Sequence, residues 1–294
     1  MSKKQTLLLG AHMSISGGIN LCIDRAEEIG CTAIQIFTKS NRQWQAKPLD
    51  KEDVALFKEK WKKSSVLSII AHATYLINIG SSDKLLEKKS IEALIMELHR
   101  CADLEIPYLV LHAGSYGTTD EESCLQRISD NLDKILEKTP TSTTILLETM
   151  AGQGTSVCYS FEQIATVIKN STHKKRLGVC FDTCHAFAAG YDFGTEKTYH
   201  KMWDDFDATI GLNKLKAMHI NDSKQGLGCR VDRHTDIGKG KIGLEAFSLI
   251  FNDPRFFDTP KVLETPKTTP HEDLKNMQTI YDLLTKKTKT ILKL

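Results

Sequence analysis

Six imidazole or carboxylate side chains stand at the ends of successive apolar runs in this 294-residue chain: His72, His112, Glu148, Asp182, His219 and Glu264. Three more lie close behind, His185 three residues after Asp182, and Asp232 and His234 in the segment Val231-Asp-Arg-His234. These five imidazoles and four carboxylates include no thiolate, a nitrogen and oxygen set that suits zinc or manganese better than copper or an iron–sulfur cluster. A lone histidine at a strand end is usually a hydrogen-bonded loop residue, but six such ends in a row form a pattern. Nine candidates exceed the three protein ligands and open position of one catalytic zinc, so two or three ions are implied. Asp232 and His234, two apart, leave an extended backbone on one face and suit a single ion, whereas Asp182 and His185 span a turn and can converge without sharing one. Multi-ion sites of this kind are typical of phosphoryl-transfer hydrolases, where one ion helps make the nucleophile and another steadies the leaving oxygen.

Such a cluster needs elements that all end at one rim. Apolar runs rich in β-branched residues fall at 7–12, 33–37, 66–72, 108–112, 144–148, 177–182, 215–220 and 261–264. Between them lie helical stripes, as in 85–104, where Leu86, Ile91, Leu94, Ile95, Leu98 and Cys101 recur near helical spacing, and in 121–136. Near-continuously apolar strands alternating with helices imply a parallel sheet covered by helices. Eight such units close a (β/α)8 TIM barrel, whose active site is built at the C-terminal rim of the strands. A doubly wound sheet of six strands is the rival and would make two of these strands wrong. No Gly/Ser-rich linker divides the chain, so one barrel domain over 1–294 is expected, and the Gly-rich, charged stretch 221–241 reads as a functional loop.

With 40% hydrophobic and 26% charged residues the composition excludes disorder and a coiled coil. A net charge of +2, from 39 Lys+Arg against 37 Asp+Glu, names no partner. The eight cysteines form no Cys-x-x-Cys pair and read as reduced thiols, with Cys180 and Cys184 packing in the core beside Asp182. The N-terminus starts basic, but its apolar stretch is too short for a signal peptide, and no run approaches the ~18–20 residues of a membrane span. A soluble cytoplasmic protein without membrane contact is therefore expected. Gly238-Lys-Gly-Lys-Ile-Gly243 has the letters of a dinucleotide fingerprint but follows no first strand of a βαβ unit, which leaves a helix start offering N–H groups to a phosphate. His12, at the end of the first run, could stand behind the ligands.

Two loops bear on substrate. Lys39-Ser-Asn-Arg-Gln-Trp-Gln-Ala-Lys47 follows the second run and is basic with one aromatic; Ala73-Thr-Tyr-Leu-Ile-Asn78 follows the third and exposes Tyr75 and Leu76. Basic and apolar loops around a phosphate-cleaving cluster suit a nucleic acid, with arginine meeting the backbone and apolar side chains wedging between bases. For Trp44, packing on a neighbouring helix is the favoured reading. Three divalent ions would raise the charge from +2 to about +8, enough to attract DNA without a basic sequence.

Phe181-Asp-Thr-Cys-His-Ala-Phe-Ala-Ala-Gly-Tyr191, His219-Ile-Asn-Asp222, Arg230-Val-Asp-Arg-His234 and Val262-Leu-Glu-Thr265 resemble the signatures of endonuclease IV, a family of apurinic/apyrimidinic endonucleases of DNA base-excision repair. The likeness runs in order from Gly10-Ala-His12 to Pro266. It implies a (β/α)8 barrel with three zinc ions: one held by His72, His112 and Glu148, a second by Glu148, Asp182, His219 and Glu264, a third by His185, Asp232 and His234. It implies hydrolysis of the phosphodiester 5′ to an abasic site in double-stranded DNA, with Glu148 and Glu264 catalytic. A hydroxide held between the first two zincs would attack phosphorus while Glu264 orients it, leaving 3′-OH and 5′-deoxyribose phosphate ends, with 3′-end trimming as a further activity. Arg42, Gln43, Tyr75 and Leu76 would sit on the loops that penetrate and bend the duplex once the abasic nucleotide leaves the stack. The sequence departs from some relatives at Ser40, in the first of those loops, and at Ala113, which follows His112. A monomer is expected.

Two rivals share part of this pattern. A metal-dependent sugar isomerase also gathers such side chains at strand ends, but with two ions and a lysine or histidine placed for proton transfer. A DNA-lesion binding module would show a broken ligand set, and none of the nine positions is broken.

Overall fold

In the computed structural model, which describes residues 6–269 and 271–294, eight parallel strands close into a barrel. The basic start at 1–5 lies outside the described residues. The barrel strands are β1 (Leu9–Met13), β2 (Ala33–Phe37), β3 (Ser68–His72), β4 (Tyr108–Leu111), β5 (Thr144–Glu148), β6 (Leu177–Asp182) and β7 (Leu215–His219). Two short strands, β8 (Asp222–Ser223) and β9 (His234–Thr235), form an antiparallel ribbon outside it, and β10 (Lys261–Leu263) completes the ring by pairing with both β7 and β1. Closure excludes the doubly wound alternative. The eight expected runs are the eight barrel strands, with ends displaced by one or two residues, so His112 and Glu264 stand just beyond β4 and β10.

Strand periodicity explains how six donors reach one place. A strand points alternate side chains to alternate faces, so residues two apart share a face. Inside the barrel a small apolar cluster is built from Ile70, Val110, Leu146, Cys180, Ala217 and Val262, one residue from each of six strands. Two positions further along those same strands stand His72, His112, Glu148, Asp182, His219 and Glu264. The apolar layer is thus the floor on which the polar layer rests. The opposite faces of the strands pack against the surrounding helices in a larger core, where each fully buried Leu, Ile or Val contributes about 1.5–3 kcal/mol relative to exposure.

The helix Lys84–Asp103 shows how this outer layer is fixed and what it carries to the rim. Asp83 caps it, accepting from the backbone N–H groups of Leu85 and Leu86, an interaction worth about 1 kcal/mol. Its buried face includes Ala93, Leu94, Leu98 and Cys101, and on the same face Glu97 and Arg100.

The loop after β7 is organised by one carboxylate. Asp222 Oδ1 accepts from the N–H groups of Ser223 and Ile242, and Oδ2 from those of Gly238 and Gly240. A Cβ at Gly240 would lie 2.3 Å from Asp222 Oδ1, so only glycine allows the wrap. The N–H groups of residues 238–242 are thus taken by Asp222 or by the carbonyls of Asp236 and Ser223, so this glycine loop has none left to offer a phosphate. Among the described residues, no helix is long and apolar enough to cross a membrane.

Candidate metal centre

Nine donor side chains meet at the C-terminal mouth in three groups, each with atoms within 4.8 Å of one another: His72, His112 and Glu148; Glu148, Asp182, His219 and Glu264; and His185, Asp232 and His234. Glu148, fully buried, joins the first two. Its Oε2 lies 3.1 Å from His72 Nε2 and 3.0 Å from His112 Nε2, and its Oε1 lies 3.0 Å from His219 Nδ1. The third group depends on the β8–β9 ribbon, in which His234 pairs with Ser223, so that Asp232 and His234 return to the rim beside His185. Cys184 also comes within reach of Asp182 and His234, closer than its expected place in the core implies, but burial pushes its thiol up to about 12.

Hydrogen bonds aim the imidazoles. His72 Nδ1 faces the Ala73 carbonyl at 2.7 Å, His185 Nδ1 that of Thr149 at 3.0 Å, and His234 Nδ1 that of Glu264 at 3.2 Å. Each such bond places the ring proton on Nδ1 and leaves Nε2 free to coordinate. His219 is turned the other way, since its Nε2 faces Gln35 Oε1 at 2.7 Å and its Nδ1 points at Glu148 and Glu264. Two ring nitrogens, His185 Nε2 and His234 Nε2, are buried without a hydrogen-bond partner among the described residues, although they lie 3.2 and 3.3 Å from oxygens of Asp232. A buried polar atom left in this way is costly unless something binds it.

Burial works against the charges of Glu148, His185, His219 and Glu264. It opposes ionisation of Glu148, yet His219 and His112 beside it hold the carboxyl well below the usual range. It disfavours charge on His185 and His219 too, but Asp182 and Glu148 around the first, and Glu264 and Glu148 around the second, leave both well above an ordinary histidine. Glu264 is held at about 2 against burial, chiefly by His219. Alternating positive and negative groups balance here, and a divalent cation would take over that balance by displacing protons. His12 differs: burial pushes it down to about 3, and it meets Gln35 Nε2 at 3.1 Å behind the donors, as its place at the end of the first run suggests.

The sequence model of the family described as "xylose isomerase-like TIM barrel" matches residues 23–285. A protein of Geotalea daltonii named probable endonuclease 4 is 47% identical over 278 residues, covering 94% of this chain and 98% of that one. Among solved structures, endonuclease IV from Thermus thermophilus matches with a TM-score of 0.84 at 34% identity, covering 94% of this chain and 98% of its own. The chain belongs to the endonuclease IV family. A D-tagatose 3-epimerase-like protein matches with a TM-score of 0.72 at 17% identity, covering 98% of each chain, a likeness of fold alone.

In this endonuclease IV family member the four expected DNA-contacting residues flank the donors without belonging to them. Arg42 and Gln43 are exposed on the loop after β2, and Leu76 is half-buried on the loop after β3. Tyr75, 53% exposed, lies against His72 and His112 with ring centroids 5.2 and 5.3 Å apart. It shares with His112, His185, Asp232, His234 and Glu264 an open cavity of about 420 Å³. Trp44 is half-buried and packs against the core.

Three residues of the site escaped the sequence reading. Gln35 lies inside the barrel on β2 and ties two donors together: its Nε2 gives a hydrogen bond to Glu264 Oε1 at 2.6 Å while its Oε1 accepts from His219 Nε2. Asn221 gives Nδ2 to Asp182 Oδ2 at 2.7 Å and accepts the Glu264 N–H at 2.8 Å. Gln153 accepts the Asp232 N–H at 3.0 Å. Only Gln35 left a signal: an amide inside the apolar run 33–37 must find partners if that run is buried on both faces.

Proposed function

We propose that this protein is a zinc-dependent apurinic/apyrimidinic endonuclease that hydrolyses the phosphodiester 5′ to an abasic site in double-stranded DNA, leaving 3′-OH and 5′-deoxyribose phosphate ends, with 3′-end trimming as a second activity. That it is a DNA-cleaving hydrolase of DNA repair follows from its family. The observation that carries the reading of the site is the pair of orphaned ring nitrogens, His185 Nε2 and His234 Nε2, aimed at Asp232 beside two further groups of nitrogen and oxygen donors. This donor set fits three zinc ions: His72, His112 and Glu148 would hold one, Glu148, Asp182, His219 and Glu264 the second, and His185, Asp232 and His234 the third. Bound there, the ions would supply Lewis acidity, easing formation of a nucleophile from water and offsetting the charge that grows on the phosphate.

The chain's own residues do the rest. Glu264, fixed at Oε1 by Gln35 and at its backbone by Asn221, presents its carboxylate to the cavity and positions the attacking water. Glu148, locked between imidazoles on both oxygens, keeps the donors of two groups in register. Arg42 and Gln43 meet the duplex from one loop, and Tyr75 and Leu76 enter it from the next, so that the abasic nucleotide turns into the cavity. We take residues 1–294 as one barrel domain acting as a monomer, and place it with its DNA in the cytoplasm, where its eight free cysteines would stay reduced.

The test is incision of an end-labelled duplex carrying one tetrahydrofuran abasic analogue, without added magnesium, before and after prolonged chelation. The analogue cannot undergo β-elimination, so cleavage on its 5′ side with an extendable 3′-OH identifies hydrolysis. Loss on chelation and recovery with zinc assigns it to the cluster. An intact duplex in the presence of folded, zinc-loaded protein overturns the proposal.

A further inference from the structure

Lys39 is the first residue of the basic loop after β2, yet it is 5% exposed and offers the duplex no charge. Its Nζ turns inward, giving a hydrogen bond to the Gln43 carbonyl at 2.6 Å and pairing with Glu97 Oε1 at 3.3 Å. The same Glu97 oxygen, on a residue 1% exposed, accepts the Thr74 N–H at 3.2 Å, and Thr74 Oγ1 gives a hydrogen bond to the Asn41 carbonyl at 2.5 Å. One turn along the helix, Arg100 closes the base of the loop by binding the carbonyls of Thr38, through Nε at 3.1 Å, and of Lys47, through Nη1 at 2.8 Å.

The geometry points to Glu97, with Lys39 as its partner, as a positioning residue that sets the loop bearing Arg42 and Gln43 and the loop bearing Tyr75 and Leu76 in one fixed relation for insertion into DNA. The inference rests on the proposed DNA-contacting role of those four residues. The bonds go to backbone atoms next to the exposed side chains, so they fix where Arg42, Gln43 and Tyr75 start while leaving their tips free. A loop held in its bound form loses less freedom on binding, and the gain appears as affinity. A buried ion pair is a poor source of stability against an apolar pair of similar size but a good means of fixing register, and here the register is between two loops and one helix. The Lys39–Glu97 pair touches none of the nine donors, so the cluster and the loops can be disturbed separately.

The experiment uses the zinc-loaded full chain and the tetrahydrofuran duplex, with KM, kcat and zinc per chain measured for Glu97→Gln, Lys39→Met, Thr74→Val and Arg42→Ala. A duplex with 2-aminopurine opposite the analogue reports base displacement by its fluorescence. Glu97→Gln and Lys39→Met are expected to raise KM about tenfold, in line with loss of a charged hydrogen bond, to reduce the fluorescence rise, and to leave kcat within about twofold and zinc at the wild-type level. Thr74→Val, which removes only the hydroxyl between the loops, is expected to raise KM about threefold and keeps the test open if the charged variants fail to fold. Unchanged KM and fluorescence in the folded variants, with Arg42→Ala raising KM, overturn the clamp alone. Unchanged KM in Arg42→Ala overturns the reading of the loops themselves. A fall in kcat with loss of zinc also overturns the clamp, because the effect then passes through the donors.

Discussion

The two ends of strand β10 bury opposite charges in opposite ways. Lys261, which begins the strand, is 1% exposed, yet its Nζ gives hydrogen bonds to the carbonyls of Phe256, at 2.5 Å, and Thr259, at 2.9 Å, and lies 5.7 Å from the Phe251 ring. Burial pushes its ammonium down to about 7. Glu264 stands just past the other end, about 10 Å away at ~3.3 Å per residue, and meets side chains that themselves carry charge: His219 at 3.2 Å and, through Gln35, a shared amide. The first end is closed by backbone acceptors that are always present, so it needs nothing from outside. The second is a set of titratable donors, with two unpaired ring nitrogens nearby among the described residues, and under the proposed function ions would complete it. One pole of the barrel holds the structure together and the other keeps its polar atoms available for chemistry.

The strongest way to break this comparison is at Glu264. Glu264→Gln keeps shape and the bond to Gln35 at one oxygen but removes the charge, and kcat on the abasic duplex is expected to fall by about 10³-fold or more while the duplex still binds, as read by gel shift against rate. An unchanged rate would remove Glu264 from the reaction. Next comes Gln35→Leu, which frees His219 Nε2 and Glu264 Oε1 without touching any of the nine donors. Zinc retained against a competing chelator is expected to drop by about 10- to 100-fold in affinity, with the two ions outside the Glu264 group held as before. Equal loss of all three would show that Gln35 supports the barrel in general and not this group.

At the other pole the expected effect on catalysis is the smallest, and the readout is stability. Lys261 titrates at about 7 in the folded protein and at 10.5 in the unfolded chain, so the unfolded state binds more protons between those values and stability rises with pH across that window. Below pH 7 both states are protonated, and the cost of burying the charge is present in full. Lys261→Met removes this slope, and the difference in urea midpoint between wild type and variant should change by the equivalent of a few kcal/mol from pH 7 to pH 10. Identical slopes would assign the pH dependence elsewhere. Incision should be unaffected by this substitution, since it lies at the pole without donors.

Much of the metal mouth was legible because strand chemistry is local. An apolar residue and a donor two positions later, repeated in six runs, announce both a barrel interior and its rim, since alternation alone puts Val110 and His112, or Val262 and Glu264, on the same face. That Asp232 and His234 stand close together could likewise be read from their spacing. Gln35 was visible only as an oddity inside an apolar run. Asn221 and Gln153 left no local trace, because each is a polar loop residue like many others, and their partners lie 39, 43 and 79 residues away. Lys39 was misjudged by composition: it belongs to a basic loop by sequence and to a buried ion pair by fold.

The sequence by itself determined the fold class, the nine donors and the family, since these depend on residue type, on a period of two and on motifs of a few residues. Tertiary structure alone decided which hydrogen bonds hold those donors, which ring nitrogen of each histidine faces inward, and how Glu97 joins two loops. Those are distances and angles between segments far apart in the chain, set by barrel closure and by the packing of the helices around it, and no local pattern encodes them.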